Sequence, residues 1–286
     1  MTEPTSGRLR VPGATLHYEV RGRGPLLLLI PGGTGGAASF DGVADALAAD
    51  HTVATYDPRG IARSPLDDPG AEQRVAEHAG DALRLLDLLS PDKPARVFGA
   101  SSGGIVSLHL LATHPERLAR VVVHEPPVVE ILPDAAGHRA TVARVVDTFR
   151  THGLMPAMAE FAAYLGQGGT GGGTQAREQA RGQERIGLPP QAAARAETTI
   201  AGLPYFIERV VPSFMAYVPD LDRLRAMADR LVVGCGAESG GEVPHRAAAY
   251  LAERLGVAVL RFPGGHVGLT THPAEFGELL RKALRA

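Results

Sequence analysis

The 286-residue chain has one cysteine, no tryptophan and no cluster of lysine and arginine. A single thiol, Cys235, cannot form an intramolecular disulfide, which favours a reducing compartment. With a net charge of −2 and no basic patch, neither nucleic acid nor an anionic membrane surface is an expected partner. The longest aliphatic run, 26–30, is too short to cross a membrane, and the first residues lack the apolar stretch of a signal peptide. We therefore expect a cytoplasmic protein.

Strand-like and helix-like patterns alternate along most of the chain, which predicts an α/β fold. The apolar run Leu26–Ile30 is typical of a strand buried on both faces, and alternating runs around Pro12-Gly13 predict a hairpin before it. The alternation predicts a mostly parallel, doubly wound sheet. The other predicted strands are Thr52–Tyr56, Arg96–Gly99, Arg120–His124, Leu231–Gly234 and Val257–Phe262, and the helices are Phe40–Ala49, Ala76–Leu89, Ser102–Thr113, Val243–Leu255 and Pro273–Leu284.

A helix-like segment, 126–224, interrupts this alternation after the sixth predicted strand. It contains a glycine-rich stretch, 166–173, and half of the chain's 14 aromatic residues. We predict that it forms a helical cap whose apolar underside closes over a substrate, and that the glycine-rich stretch is a mobile loop. The core domain would then consist of residues 1–125 and 225–286.

A candidate nucleophile lies where a predicted strand meets a predicted helix. The pentapeptide Gly99-Ala100-Ser101-Ser102-Gly103 fits the pattern G-x-S-x-G in a strand–turn–helix context. A sharp turn exposes the serine hydroxyl, and its crowded backbone requires small residues two positions before and after. The sequence therefore predicts Ser101 as the nucleophile, and the backbone N–H of Ser102 as an oxyanion donor.

A base and an acid must accompany such a serine, and on this kind of turn the chain order is serine, acid, histidine. His266 lies between glycines after the last predicted strand, so it is the predicted base. Two acids remain open: Glu125, followed by two prolines that fix its backbone, and Glu238, in a looser loop after the next strand. Rigidity favours Glu125. The sequence contains no HExxH or similar metal-ligand spacing, and we expect no metal site.

The turn after Leu26–Ile30 supports two interpretations. Gly33 is positioned to give the second oxyanion N–H. The segment 33–38 also matches G-x-G-x-x-A, and Asp57 ends the next strand, as in a dinucleotide-binding site. That alternative would leave Ser101, Glu125 and His266 unexplained, and a hairpin precedes the strand where such a unit normally begins. We therefore expect no cofactor.

Together, the segments LLLLIPGGTGG, YDPRGIARS, GASSGG and FPGGH resemble the α/β-hydrolase superfamily over nearly the whole chain. The motif HEPP, which ends the sixth strand, resembles the zearalenone-type lactone hydrolases, whose acid is a glutamate in an HE-x-P context. That resemblance implies Ser101, Glu125 and His266 as the triad. It implies Gly33 and Ser102 as oxyanion donors, and a structural role for the turn Asp57–Gly60. Those lactonases place a tryptophan against the substrate, and this chain has none.

The function expected from the sequence is hydrolysis of an ester or lactone of a medium-sized apolar substrate through an acyl-enzyme. Carbon–carbon bond hydrolysis and cofactor-free perhydrolysis on the same triad are alternatives. A ligand receptor with the hydrolase fold and little turnover is another. The expected partner is a small apolar molecule, and assembly into a homo-oligomer is compatible with the sequence.

Overall fold

The structure, a computed structural model, describes residues 4–168 and 200–285. In these ranges eight strands form one sheet with the order β1-β2-β4-β3-β5-β6-β7-β8. The pairs β1–β2 and β2–β4 are antiparallel and the others are parallel, so the predicted mostly parallel sheet is confirmed. The strands are β1 Thr5–Val11, β2 Ala14–Gly22, β3 Leu26–Ile30, β4 Thr52–Tyr56, β5 Ala95–Ala100, β6 Leu118–His124, β7 Leu231–Gly236 and β8 Val259–Phe262.

Helices cover both faces of the sheet, as a doubly wound fold requires. Because side chains alternate along a strand, β3 sends Leu28 and Ile30 into the core shared with α2, α3 and α8, and Leu27 and Leu29 into the core shared with α1 and α10. The helices are α1 Asp41–Leu47, α2 Val75–Leu89, α3 Ser102–Thr113, α4 Ala135–His152, α5 Leu154–Leu165, α6 Val211–Met215, α7 Leu221–Ala226, α8 Val243–Leu255, α9 Gly268–Thr271 and α10 Pro273–Arg285. In the described ranges, no helix is both long and apolar enough to span a membrane.

The segment between β6 and β7 contains the predicted cap. Its described part consists of α4, α5, helical residues 200–205, a π-helical turn at Phe206–Val210, α6 and α7. Residues 169–199 of the predicted cap, with most of the predicted glycine-rich loop, lie outside the described residues. The boundaries of the two domains stay a prediction.

The parallel strands β3 to β8 end at one edge of the sheet, where a ligand site is expected in an open α/β fold. The residues singled out in the sequence follow these ends. Gly33 comes after β3, Ser101 after β5, Glu125 after β6, Glu238 after β7 and His266 after β8. The topology therefore gathers residues that lie far apart along the chain.

Candidate active site

Ser101 occupies a strained turn between β5 and α3. Its φ is +50° and its ψ is −121°, a conformation that costs a non-glycine residue about 1–3 kcal/mol. A Cβ at Gly99 would lie 2.3 Å from the carbonyl oxygen of Gly103, and a Cβ at Gly103 would lie 2.2 Å from that of Ile30. Both flanking positions therefore need glycine, for the steric reason that the sequence motif indicated.

His266 lies between Ser101 and Glu125. Its Nε2 is 3.1 Å from Ser101 Oγ, and its Nδ1 is 2.7 Å from Glu125 Oε2. A carboxylate can only accept, so the imidazole carries its proton on Nδ1 and leaves the Nε2 lone pair for the serine hydroxyl. This arrangement can remove a proton from Ser101 during nucleophilic attack.

Glu125 is fully buried and tightly bound. Its φ is +46°, so it is one of three non-glycine residues in the described ranges with a positive φ, together with Ser101 and Ala62. Its Oε1 accepts hydrogen bonds from the backbone N–H of Gly236 at 2.9 Å and from the hydroxyl of Ser239. Because Oε2 accepts from the imidazole, both carboxylate oxygens have partners.

The histidines around Glu125 set its protonation state. Burial is the largest influence and would raise the pKa of Glu125, but hydrogen bonds from His245 and His266 and the electrostatic influence of His266 and His124 outweigh it. The pKa of Glu125 is therefore held well below its usual range, and the carboxylate is ionised. Burial lowers the pKa of His124 to about 4, so this neighbour is neutral near pH 7.

Glu238, the other candidate acid, lies elsewhere. It is exposed in the loop after β7, and its backbone N–H donates to the carbonyl of Gly264 at 3.0 Å. Sequence reasoning did not identify Ser239, the buried residue beside it, although Ser239 contacts Glu125 across 114 positions of the chain. No local pattern marks such a contact, because a small polar residue in a loop is compatible with many environments.

The proposed oxyanion turn follows β3. Gly33 has a φ of +58°, and its backbone N–H donates to the Ser102 side-chain oxygen at 2.9 Å. Ser102 is the first residue of α3, so its own backbone N–H is among the first-turn donors that a helix leaves without intrahelical acceptors. The structure thus places both predicted donors beside Ser101, with a hydroxyl already bound to one of them.

Asp57, the acid of the dinucleotide-binding alternative, binds the segment after β3 and its own loop. Its Oδ1 accepts the backbone N–H of Ala37 at 2.8 Å, and its Oδ2 accepts Arg63 Nε at 2.7 Å. A Cβ at Gly36 would lie 2.3 Å from the same Oδ1. Asp57 therefore holds the turn after β3 against the end of β4, which is a structural role.

A cavity of about 580 Å³ opens over Ser101 and His266. This volume lies within the range of small-molecule sites. Aromatic and methionine side chains from the segment between β6 and β7 line one wall of it: Met158, Phe161, Phe206, Phe214 and Met215. The cavity suits an uncharged molecule of moderate size, with polar groups concentrated at the serine.

One cluster in the described ranges has the composition of a metal site. Single ligand atoms of Glu125, Cys235 and His245 lie within 4.8 Å of one another. The buried Cys235 thiol donates to the backbone carbonyl of His245, with Sγ 3.8 Å from the oxygen. Both oxygens of Glu125 already accept hydrogen bonds. The chemistry of this set fits a hydrogen-bonded cluster better than a metal site.

Comparisons with known proteins agree with this architecture. Residues 25–157 match the family model described as alpha/beta hydrolase fold. Uncharacterized hydrolase YraK from Bacillus subtilis is 34% identical over 285 residues, covering 98% of this chain and 96% of that protein. Zearalenone hydrolase from Bionectria ochroleuca is 34% identical over 121 residues, covering 40% of this chain and 44% of that protein. The structure of MGS-M2, an alpha/beta hydrolase from a Medee basin deep-sea metagenome library, matches with a TM-score of 0.78 at 15% identity, covering 98% of each chain.

Proposed function

This chain belongs to the alpha/beta hydrolase fold family and is a hydrolase, and from that premise we propose that it cleaves an ester or lactone through an acyl-enzyme on Ser101. The observation that supports the proposal is the continuous contact from Ser101 Oγ through His266 to Glu125, at 3.1 Å and 2.7 Å. A nucleophile within reach of a base that is itself oriented by a third group is the arrangement of nucleophilic catalysis.

In the proposed mechanism His266 Nε2 takes the proton of Ser101 as Oγ attacks the substrate carbonyl. The ionised Glu125 stabilises the resulting imidazolium, and the backbone N–H groups of Gly33 and Ser102 bind the oxyanion. His266 then gives its proton to the leaving alkoxide. Water attacks the acyl-enzyme with His266 again as base, and the acid product leaves.

The cavity supports a medium-sized apolar substrate. Its cap wall consists of aliphatic, aromatic and thioether side chains, which would desolvate an uncharged group. The partial similarity to a zearalenone hydrolase, together with the HEPP motif at Glu125, supports a lactone within this class.

The test combines covalent labelling with turnover. A fluorophosphonate probe should label Ser101, and p-nitrophenyl esters from acetate to decanoate should be hydrolysed, with kcat/KM rising along the series as the acyl chain fills the cavity. Ser101→Ala should abolish both signals, whereas Ser90→Ala, at the end of α2, serves as the matched control. The opening of a macrolactone is measured by mass spectrometry of the ring-opened product.

Labelling, turnover and product analysis together distinguish the candidate functions. Labelling without turnover of any ester or lactone would favour the receptor alternative, and product analysis separates carbon–carbon cleavage and perhydrolysis from ester hydrolysis. Absence of labelling in a folded protein would contradict the proposed nucleophile.

A further inference from the structure

The loop after β7 and the start of α8 surround the carboxylate oxygen of Glu125 that His266 does not use. Gly236 N–H donates to Oε1 at 2.9 Å, the Ser239 hydroxyl donates to the same oxygen, and His245 Nδ1 lies 3.5 Å from it. Ser239 is buried, and the His245 side chain is 14% exposed. These groups therefore contact Glu125 away from bulk water.

The hydrogens in this cluster can be assigned from its partners. The Ser239 hydroxyl has one proton, which it donates to Glu125 Oε1. His245 Nδ1, 3.4 Å from Ser239 Oγ, cannot accept that same proton. His245 therefore carries a proton on Nδ1 and directs it at both Ser239 Oγ and Glu125 Oε1. The imidazole orients the hydroxyl, and the hydroxyl orients the carboxylate.

Glu125 needs such support for three reasons. Its backbone has a φ of +46°, which is strained, and its charge is removed from water. Glutamate also has three side-chain torsions, so its carboxylate has several alternative positions unless contacts select one. A carboxylate that rotates away from His266 Nδ1 would no longer hold the imidazole toward Ser101.

We propose that Ser239 and His245 are positioning residues that fix the Glu125 carboxylate so that Oε2 faces His266. This inference rests on the proposed function and adds two residues to it. Neither side chain contacts Ser101 in this arrangement, and both act through Glu125. The loop after β7 thus supports the acid and does not supply it.

The pH dependence of turnover distinguishes positioning from general destabilisation. Without a donor to Oε1 the carboxylate can turn away from His266 Nδ1, which weakens its stabilisation of protonated His266, so the acid limb of the kcat/KM profile moves to lower pH. A purely structural defect would reduce the amount of active protein without moving the profile. The titratable groups around Glu125 are His124 on β6, Cys235 on β7, Glu242 and His245 at the start of α8, and His266 after β8.

The test uses full-length variants assayed with one p-nitrophenyl ester across pH. Ser239→Ala should lower kcat about tenfold to a hundredfold, with KM within twofold and the acid limb moved to lower pH. Ser64→Ala, which removes another buried hydroxyl donor, is the matched control and should leave the profile in place. His245→Leu should lower kcat by severalfold, and His245→Gln, which keeps an N–H donor, should recover most of that loss.

Thermal unfolding of each variant shows whether it is folded, and the His245 pair tests the proposal should Ser239→Ala fail to fold. The inference is overturned if Ser239→Ala keeps kcat within twofold of the wild type. An unshifted profile, or equal losses in His245→Leu and His245→Gln, would also overturn it. If instead Ser101→Ala and His266→Ala retain turnover, the proposed function itself fails, and the two failures are thereby distinguished.

Discussion

Replacing Ser102 by alanine tests whether its hydroxyl occupies the proposed oxyanion site when no substrate is bound. In the structure the Gly33 N–H donates to Ser102 Oγ at 2.9 Å, so one of the two proposed donors already has a partner. The substitution removes that hydroxyl and leaves both backbone N–H groups in place. Alanine is also compatible with the first turn of α3, because it is a strong helix former.

The size of the effect follows from the hydrogen bond that must be broken. A neutral hydrogen bond contributes about 0.5–1.5 kcal/mol net, so releasing Gly33 N–H before attack lowers kcat/KM by about twofold to thirteenfold. Ser102 is half-buried, and its hydroxyl can bind water once it separates from Gly33. We therefore expect Ser102→Ala to raise kcat/KM toward the lower end of that range, about threefold.

The assay is the steady-state hydrolysis of a p-nitrophenyl ester at saturating and limiting concentrations, with Ser90→Ala as the reference variant. A gain in kcat/KM supports a hydroxyl that competes with the oxyanion. A loss of tenfold or more would refute this reasoning, because it would show that the Ser102 hydroxyl itself donates to the transition state.

Three further predictions concern the acid, the nucleophile turn and acid stability. Glu125→Gln should lower kcat about 10²–10⁴-fold, since an amide cannot stabilise an imidazolium, whereas Glu238→Gln should stay within twofold of the wild type in the same ester assay. Gly103→Ala should cost about 3 kcal/mol in urea unfolding and abolish fluorophosphonate labelling, because its Cβ would meet backbone oxygens of the β3 end. Gly137→Ala is the control. Gly137 occupies an exposed position of α4 with free space for a Cβ, so the substitution should leave stability unchanged or raise it. Burial, together with a neighbouring arginine charge, lowers the pKa of His78 to about 3. Between about pH 6.5, the ordinary pKa of histidine, and about pH 3, His78 is protonated in the unfolded chain but not in the native state. The free energy of unfolding should therefore fall by about 1.4 kcal/mol for each unit by which the pH is lowered, and His78→Gln should reduce that slope.

The sequence predicted several elements with their observed bounds, and the reason is local. Leu26–Ile30, Thr52–Tyr56, Ser102–Thr113 and Val243–Leu255 all have strong apolar patterns that end at glycine, proline or polar residues. The predicted helix Phe40–Ala49 differs, since a 3₁₀ turn at 37–40 precedes α1 and α1 ends at Leu47.

The start of the last strand was also predicted too early. The sequence predicted a strand from Val257, whereas β8 begins at Val259. The reason is the end of α8, where Gly256 adopts a left-handed conformation with a φ of +71°. The backbone N–H of Val257 then donates to Ala252 at 3.0 Å, so this residue belongs to the helix cap.

By itself the sequence predicted the strands and the nucleophile turn, because both are marked by patterns of residues a few positions apart. The glycines around Ser101 are required by contacts at the ends of β5 and β3, and they form a readable pattern. The choice between Glu125 and Glu238 was different. The contact between Glu125 and His266 spans 141 positions of the chain. It exists only because β6 and β8, on either side of β7, end at the same edge of the sheet. Which carboxylate turns inward there depends on the packing of the surrounding loops, and the tertiary structure alone fixes that packing.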